Sequence, residues 1–219
     1  SHYGIDSVIS LVDDILLEKL RKVYCEKFEL PYEEINKKTQ DFRAKRITSY
    51  LNLMNDLAEK KFEEFKNLSA EKSKEVKKYL NMLPDNSVLK EKIKEFSSEY
   101  LNLEQTQNWF KDKLSRGSID VNIMTKLDRV NFSRGEKLTT EFNDAHAALR
   151  GYANSDLTSS IILSAGMNPR LFGYMEGFED FYPTSTGEIK KKIILKVSDY
   201  RSAVIQGKFL AKKGLWVSE

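Results

Sequence analysis

The sequence predicts a mainly α chain: a multi-helix bundle with a smaller C-terminal helical or mixed α/β part. Three observations carry that expectation. No glycine occurs from Ile5 to Arg116, whereas nine of the ten lie between Gly117 and Gly214. Because glycine supplies the positive φ angles of tight turns, a stretch without it implies few, long elements. Apolar residues in that stretch recur at helical spacing, and its acids and bases follow one another as on a solvated helix face. The resulting division is a long-helix region over 1–116, then shorter helices, an aromatic loop and a basic C-terminal part over 117–219. One continuous domain also accommodates this arrangement.

Val8, Leu11, Val12, Ile15, Leu16, Leu20 and Val23 form the stripe of a first helix. Leu30-Pro31-Tyr32-Glu33-Glu34 reads as its end, followed by a proline at the first position of the next helix and two acids complementing that helix's positive end. Ile47, Tyr50, Leu51, Met54, Leu57, Ala58, Phe62 and Phe65 mark a second helix. A heptad started at Ile47 places Lys61 and Glu64 on the seam while the apolar stripe moves on to Phe62 and Phe65. That drift belongs to a 3.6-residue period and favours a short helix in a bundle over a coiled coil.

Glu63 with Lys66, Glu71 with Lys74 and Glu75 with Lys78 are helical pairs with the acid first. Ser69 is placed to cap a third helix carrying Val76, Tyr79, Leu80 and Leu83. After Pro84-Asp85-Asn86-Ser87 a fourth helix carries Leu89, Ile93, Phe96 and Tyr100, with Trp109, Phe110 and Leu114 in its continuation or in a short fifth. Ser133 and Glu136 form a capping box before a helix with Leu138, Phe142, Ala145, Leu149 and Tyr152. Asp156 to Ala165 reads as another short helix, stopped by Gly166 and Pro169. Ile193, Leu195 and Val197 make 189–197 the single strand expected, with Leu215 to Ser218 as its partner. A helix carrying Tyr200, Ala203, Val204, Leu210 and Ala211 connects the two, with Ser198 as cap and Gly214 as stop.

Composition narrows the function. With 219 residues, 40% of them hydrophobic, the chain can bury a core. No apolar run approaches the ~18 residues of a membrane span, and no secretory leader pattern opens the sequence. Cys25 is the one cysteine, so a disulfide framework is excluded and a cytoplasmic, reducing setting is expected. Among amphipathic neighbours it reads as a small buried hydrophobe. The net charge of +3 is local: residues 188 to 219 hold eight bases and three acids.

Motifs of catalysis are lacking. The chain has no phosphate-binding glycine loop followed by lysine, no paired cysteines, no zinc-protease histidine pair and no nucleophile elbow. His146 is the one histidine away from the terminus and sits two places from Asp144. Residues two apart on a helix do not face each other, so this is not an acid–base pair. No cofactor and no metal ligand set is expected.

Three surfaces remain. The segment from Leu171 to Pro183 holds Phe172, Tyr174, Phe178, Phe181 and Tyr182 among Glu176, Glu179 and Asp180. Large rings in a glycine-punctuated stretch are the residue types that anchor a protein partner. The basic tail, Lys190, Lys191, Lys192, Lys196, Arg201, Lys208, Lys212 and Lys213, offers charges that would neutralise phosphates. Asp180 with Glu188 and Lys190 resembles the carboxylate and lysine set of metal-dependent nucleases. The sequence therefore predicts a non-enzymatic interaction or adaptor protein presenting the aromatic and acidic segment. Nucleic-acid binding by the tail is the alternative and nuclease chemistry the second. A protein partner is expected, nucleic acid and a homo-oligomer are compatible, and a membrane is not.

Overall fold

Strict alternation governs the residues just after Gly117. Ile119, Val121 and Ile123 are buried, while Asp120 and Asn122 between them are half-exposed, and a period of two with branched side chains makes a strand. The computed structural model describes residues 4–67, 74–88, 90–92, 108, 111–124, 132–133, 136–137 and 143–218. The chain divides into two compact units, Ser1–Asp6 with Asp56–Ser118, and Ser7–Asn55 with Ile119–Glu219.

The second unit is built on a five-stranded, wholly parallel sheet of β1 (Ser7–Leu11), β2 (Ile119–Ile123), β5 (Ser160–Leu163), β6 (Lys192–Leu195) and β7 (Val217–Ser218). A separate antiparallel pair, β3 (Phe132–Ser133) and β4 (Glu136–Lys137), lies between β2 and β5 in sequence. Helices separate the sheet strands: α1 (Asp14–Lys27) and α2 (Phe42–Lys66) follow β1, α4 (Asp144–Ala153) precedes β5, α5 (Pro169–Tyr174) follows it, and α6 (Tyr200–Ala211) joins β6 to β7. Helix α3 (Lys74–Met82) belongs to the other unit. The fold is therefore α/β, which corrects both the mainly α, helical-bundle expectation and its all-α description.

The spatial order of the sheet, β1-β2-β5-β6-β7, is the order of the chain. Every crossover advances in the same direction, so the sheet has no switch point of the doubly wound kind. The register aligns Val121 with Ile161 and Ile193, and Ile123 with Leu163 and Leu195, on one face. All six are buried. Leu149 and Tyr152 of α4, Leu210 of α6 and Ile47 and Leu51 of α2 join the same core. The opposite face alternates out of it, with Ser10 and Lys192 exposed and Asn122, Ile162 and Ile194 half-exposed.

Several expected elements change type. Val8 and Leu11 belong to β1, and α1 starts at Asp14, capped by Asp13, whose carboxylate accepts from the Leu16 amide at 2.7 Å. Short branched runs satisfy both periods, and pairing with Ile119–Ile123 decides for the strand. The stretch after Pro31 is not helical. Buried Glu18 instead holds it out, accepting from the Ile35 amide at 3.0 Å and the Tyr32 hydroxyl at 3.1 Å, with Arg21 2.7 Å away. Burial alone would raise this carboxyl's pKa, but those donors lower it.

The capping box at Ser133 and Glu136 opens no helix, since these residues pair as β3 and β4, and Asn143 caps α4 instead. Asp156 to Ala165 contains β5. Helix α6 stands where the sequence places it, capped by Asp199 rather than Ser198. The expected cap Ser69, the helix residues Leu89, Ile93, Phe96 and Tyr100, the aromatics Trp109 and Phe110, and Leu138 and Phe142 lie outside the described residues.

In the other unit Phe62, Phe65, Tyr79 and Leu114 are buried, and the rings of Phe65 and Tyr79 meet edge to face at 5.5 Å. Lys66 pairs with Glu63 at 2.9 Å. The Ser118 amide donates to Asp6 at 2.7 Å. Among the described residues no helix is long and apolar enough to cross a membrane.

Candidate functional site

Parallel strands all deliver their carboxyl ends to one edge of the sheet, and the loops leaving that edge are where α/β proteins assemble binding sites. Beyond β5 run Ser164, Ala165, Gly166 and Met167; beyond β6 run Lys196, Val197 and Ser198. Between these loops and the first turns of α6 lies a cleft of about 360 Å³, within the range of small-molecule sites.

Its walls follow from local chemistry. The Lys196 amide donates to Leu163 O at 3.1 Å, so the ladder continues one residue past β6 and sets Lys196 beside Ser164. The Ser164 hydroxyl donates to Asn122 at 2.7 Å, tying the β5 loop to β2. Gly166 turns the loop with φ of +81°, a conformation that side chains other than glycine's rarely take. Asn168 then caps α5 and Pro169 starts it. On the other side Asp199 caps α6: one carboxylate oxygen accepts from the Ser202 amide at 2.9 Å, the other from the Ser202 and Ser198 hydroxyls at 2.9 and 3.0 Å. The Ser202 amide and these hydroxyls hold its pKa below the usual carboxylate range. Met167 and Ile205 form an apolar rim, 41% and 54% exposed.

Gln206 is the unusual member. It lines the cleft, is 5% exposed, and its amide has no hydrogen-bond partner among the described residues. The residue is packed, but its amide atoms are not sealed from solvent and stay open to the cleft.

At the carboxyl end of β1 the edge is closed. Arg43 pairs with Asp144, and Arg46 with Asp14 at 2.9 Å, leaving a hollow of about 10 Å³, room for about one water. Asp144 thus faces Arg43 rather than His146. The histidine is buried, with Nδ1 2.8 Å from Asn143 Oδ1 and its ring 4.9 Å from that of Tyr174. Cys25 is a buried free thiol.

The aromatic and acidic segment folds inward. Phe172 and Phe181 are each 1% exposed, and Tyr174, Phe178 and Phe181 form a chain of edge contacts at 5.3 and 6.3 Å that ends on Tyr152. Glu176 and Glu179 are exposed; Tyr174, Phe178, Asp180 and Tyr182 are half-buried. Of the basic tail, Lys192, Lys196, Arg201, Lys208 and Lys212 are exposed.

The other three lysines are engaged, and their partners come largely from the acidic segment. Lys190 and Lys191 share Asp180 at 3.3 and 3.6 Å, and Lys213 pairs with Glu176. Two surfaces expected to act separately therefore neutralise each other in part.

Lys191 is 2% exposed. Its ammonium donates to Ser155 O at 2.8 Å and Leu157 O at 2.7 Å, closing the turn between α4 and β5. Burial pushes its pKa below the usual lysine range, against the pull of Asp180. Glu188, expected beside Asp180 as a metal ligand, is exposed, and among the described residues no three His, Cys, Asp or Glu side chains gather as a metal site.

Sequence reasoning nominates Lys196 only as one of eight tail charges, and it misses Ser164, Met167, Ser202, Ile205 and Gln206. The available signal is the run Ser160-Ile-Ile-Leu-Ser164 followed by Gly166. Read as a strand ending in a turn, it places a loop at the sheet's carboxyl edge. Compared with family models, with curated proteins and with solved structures, the chain finds no match in any of the three.

Proposed function

We propose that this chain is a small-molecule-binding α/β protein whose site is the cleft at the carboxyl ends of β5 and β6. One observation carries the reading: loops from two adjacent parallel strands and the start of α6 border a cleft of about 360 Å³ at the sheet's carboxyl edge, with polar residues from all three in its lining. A reducing, cytoplasmic setting accords with the free thiol of Cys25.

The two surfaces expected from sequence are weaker proposals. A protein docking on 172–182 would meet Glu176, Glu179 and the rims of Tyr174, Phe178 and Tyr182, since Phe172 and Phe181 are inside. A nucleic acid on the tail would find Lys191 buried and Lys190 and Lys213 paired.

The test is amide chemical-shift mapping of the full chain against a fragment library. Binders should shift the amides of 164–167, 196–198 and 202–206 together, and Ile205→Trp, which crowds the rim, should abolish those shifts. Fragments that bind only elsewhere, or none at all, would overturn the reading.

A further inference from the structure

The geometry points to a ligand class: a small organic carboxylate, its head held by Lys196 and Gln206 and its apolar body against Met167 and Ile205. This inference rests on the ligand-binding reading of the same cleft. Among the described residues lining it, Lys196 is the single charged side chain, which selects an anion. Lys196 lies at the exposed end of β6 and forms no ion pair among the described residues.

Donor supply then decides which anion. The hydroxyls of Ser198 and Ser202 are already donating to Asp199, and that of Ser164 to Asn122. Their oxygens can accept but have no further proton to give. The start of α6 is likewise taken, because the Asp199 carboxylate occupies the Ser202 amide. An incoming anion is left with the ammonium of Lys196 and the amide of Gln206 as its side-chain donors. Two donors suit the two oxygens and single charge of a carboxylate. A phosphate would bring a third oxygen with no such donor and a second negative charge toward Asp199.

Gln206 supplies the second donor. Its amide makes no side-chain hydrogen bond among the described residues and is not sealed from solvent in the cleft it lines, and a carboxylate oxygen would accept from its N–H groups. The rim of Met167 and Ile205 matches a hydrocarbon or aromatic body.

The experiment is a shift titration of the full chain at low salt with benzoate, phenyl phosphate and benzyl alcohol, repeated on Lys196→Met and Gln206→Leu. Benzoate should bind tightest of the three and shift the amides around 164–167 and 205–206. Lys196→Met should weaken benzoate about tenfold or more, the scale of one charge-assisted hydrogen bond, and leave benzyl alcohol unchanged. Gln206→Leu should weaken benzoate several-fold while leaving the melting temperature close to the parent's, since no protein hydrogen bond is lost; an unchanged benzoate affinity, or a markedly lower melting temperature, would overturn its role. If benzyl alcohol binds the cleft as well as benzoate does, or Lys196→Met leaves benzoate unaffected, the carboxylate assignment fails while the ligand-binding reading stands. Tighter binding of phenyl phosphate would also overturn it. If none of the three binds and no library fragment shifts the cleft amides, both fall.

Discussion

Gly151 offers a substitution in which two effects of known size oppose each other. It lies inside α4, where helix propensity alone makes Gly151→Ala stabilising by about 1 kcal/mol. The structure predicts the opposite sign. A Cβ at 151 would lie 2.6 Å from Ile47 Cβ, 2.7 Å from Ile47 Cγ2 and 3.0 Å from Ala44 O, all on α2. Ordinary carbon contacts begin near ~3.5 Å, so the two helices would have to part locally by close to 1 Å. Ile47 cannot rotate away, because its branch point is the atom being struck.

Overpacking of this kind costs about 1–3 kcal/mol, and separation stretches the bond from the Thr48 hydroxyl to Gly151 O, now 2.9 Å, worth roughly 1 kcal/mol more. The net expectation is a loss of about 1–3 kcal/mol. Gly207 is the control, also helical, where an added Cβ meets nothing nearer than Val217 Cγ2 at 3.9 Å; Gly207→Ala should therefore stabilise by about 1 kcal/mol. Urea unfolding of both variants, followed by circular dichroism, reads the two signs. A gain for Gly151→Ala would refute the close approach of α2 and α4.

Lys191 and the aromatic segment give two further predictions. Because the folded protein holds the Lys191 proton less tightly than the unfolded chain, the unfolded state binds more protons between the lowered pKa and the ordinary value of 10.5. Stability from this group should thus rise with pH in that window and be flat below it; urea midpoints measured upward from pH 8 should show the rise in the parent and lose it in Lys191→Met. Phe181→Ala should cost about 3–5 kcal/mol, as for an emptied core aromatic site, and half-buried Phe178→Ala distinctly less. Equal melting temperatures for Phe181→Ala and the parent would return that ring to the surface.

Which parts of the fold are legible in sequence depends on how many residues each element has in which to state its period. Helix α2 carries its buried face over twenty-five residues, and Ile47, Leu51, Phe62 and Phe65 announce it without help from the rest of the chain. Strands of four or five residues do not have that room. Val8-Ile-Ser-Leu11 suits a helix stripe as well as an edge strand, and Ile161-Ile-Leu163 gives no period at all. β2 is different, since Ile119, Val121 and Ile123 alternate with Asp120 and Asn122 as plainly as the residues of β6 do. With β2 counted as a strand, helical and strand patterns alternate along the second half, which is the signature of a parallel sheet. The site was less legible still. Lys196 is visible as a charge, but nothing local shows that it lies beside Ser164, or that Gln206 lines the same cleft; both depend on β5 and β6 being neighbours.

The agreement between sheet order and chain order also bears on how the protein assembles. Pairing β6 with β7 closes only the stretch from Leu195 to Val217, and pairing β5 with β6 the stretch from Leu163 to Lys192. Pairing β1 with β2 closes everything from Leu11 to Ile119. That is about two doublings of loop length, worth roughly 1 kcal/mol of extra closure entropy before any contact repays it. The ladder therefore grows most readily from β5, β6 and β7 outward, with β1 the last strand to dock, so the two loops that frame the cleft are set side by side before the sheet is finished.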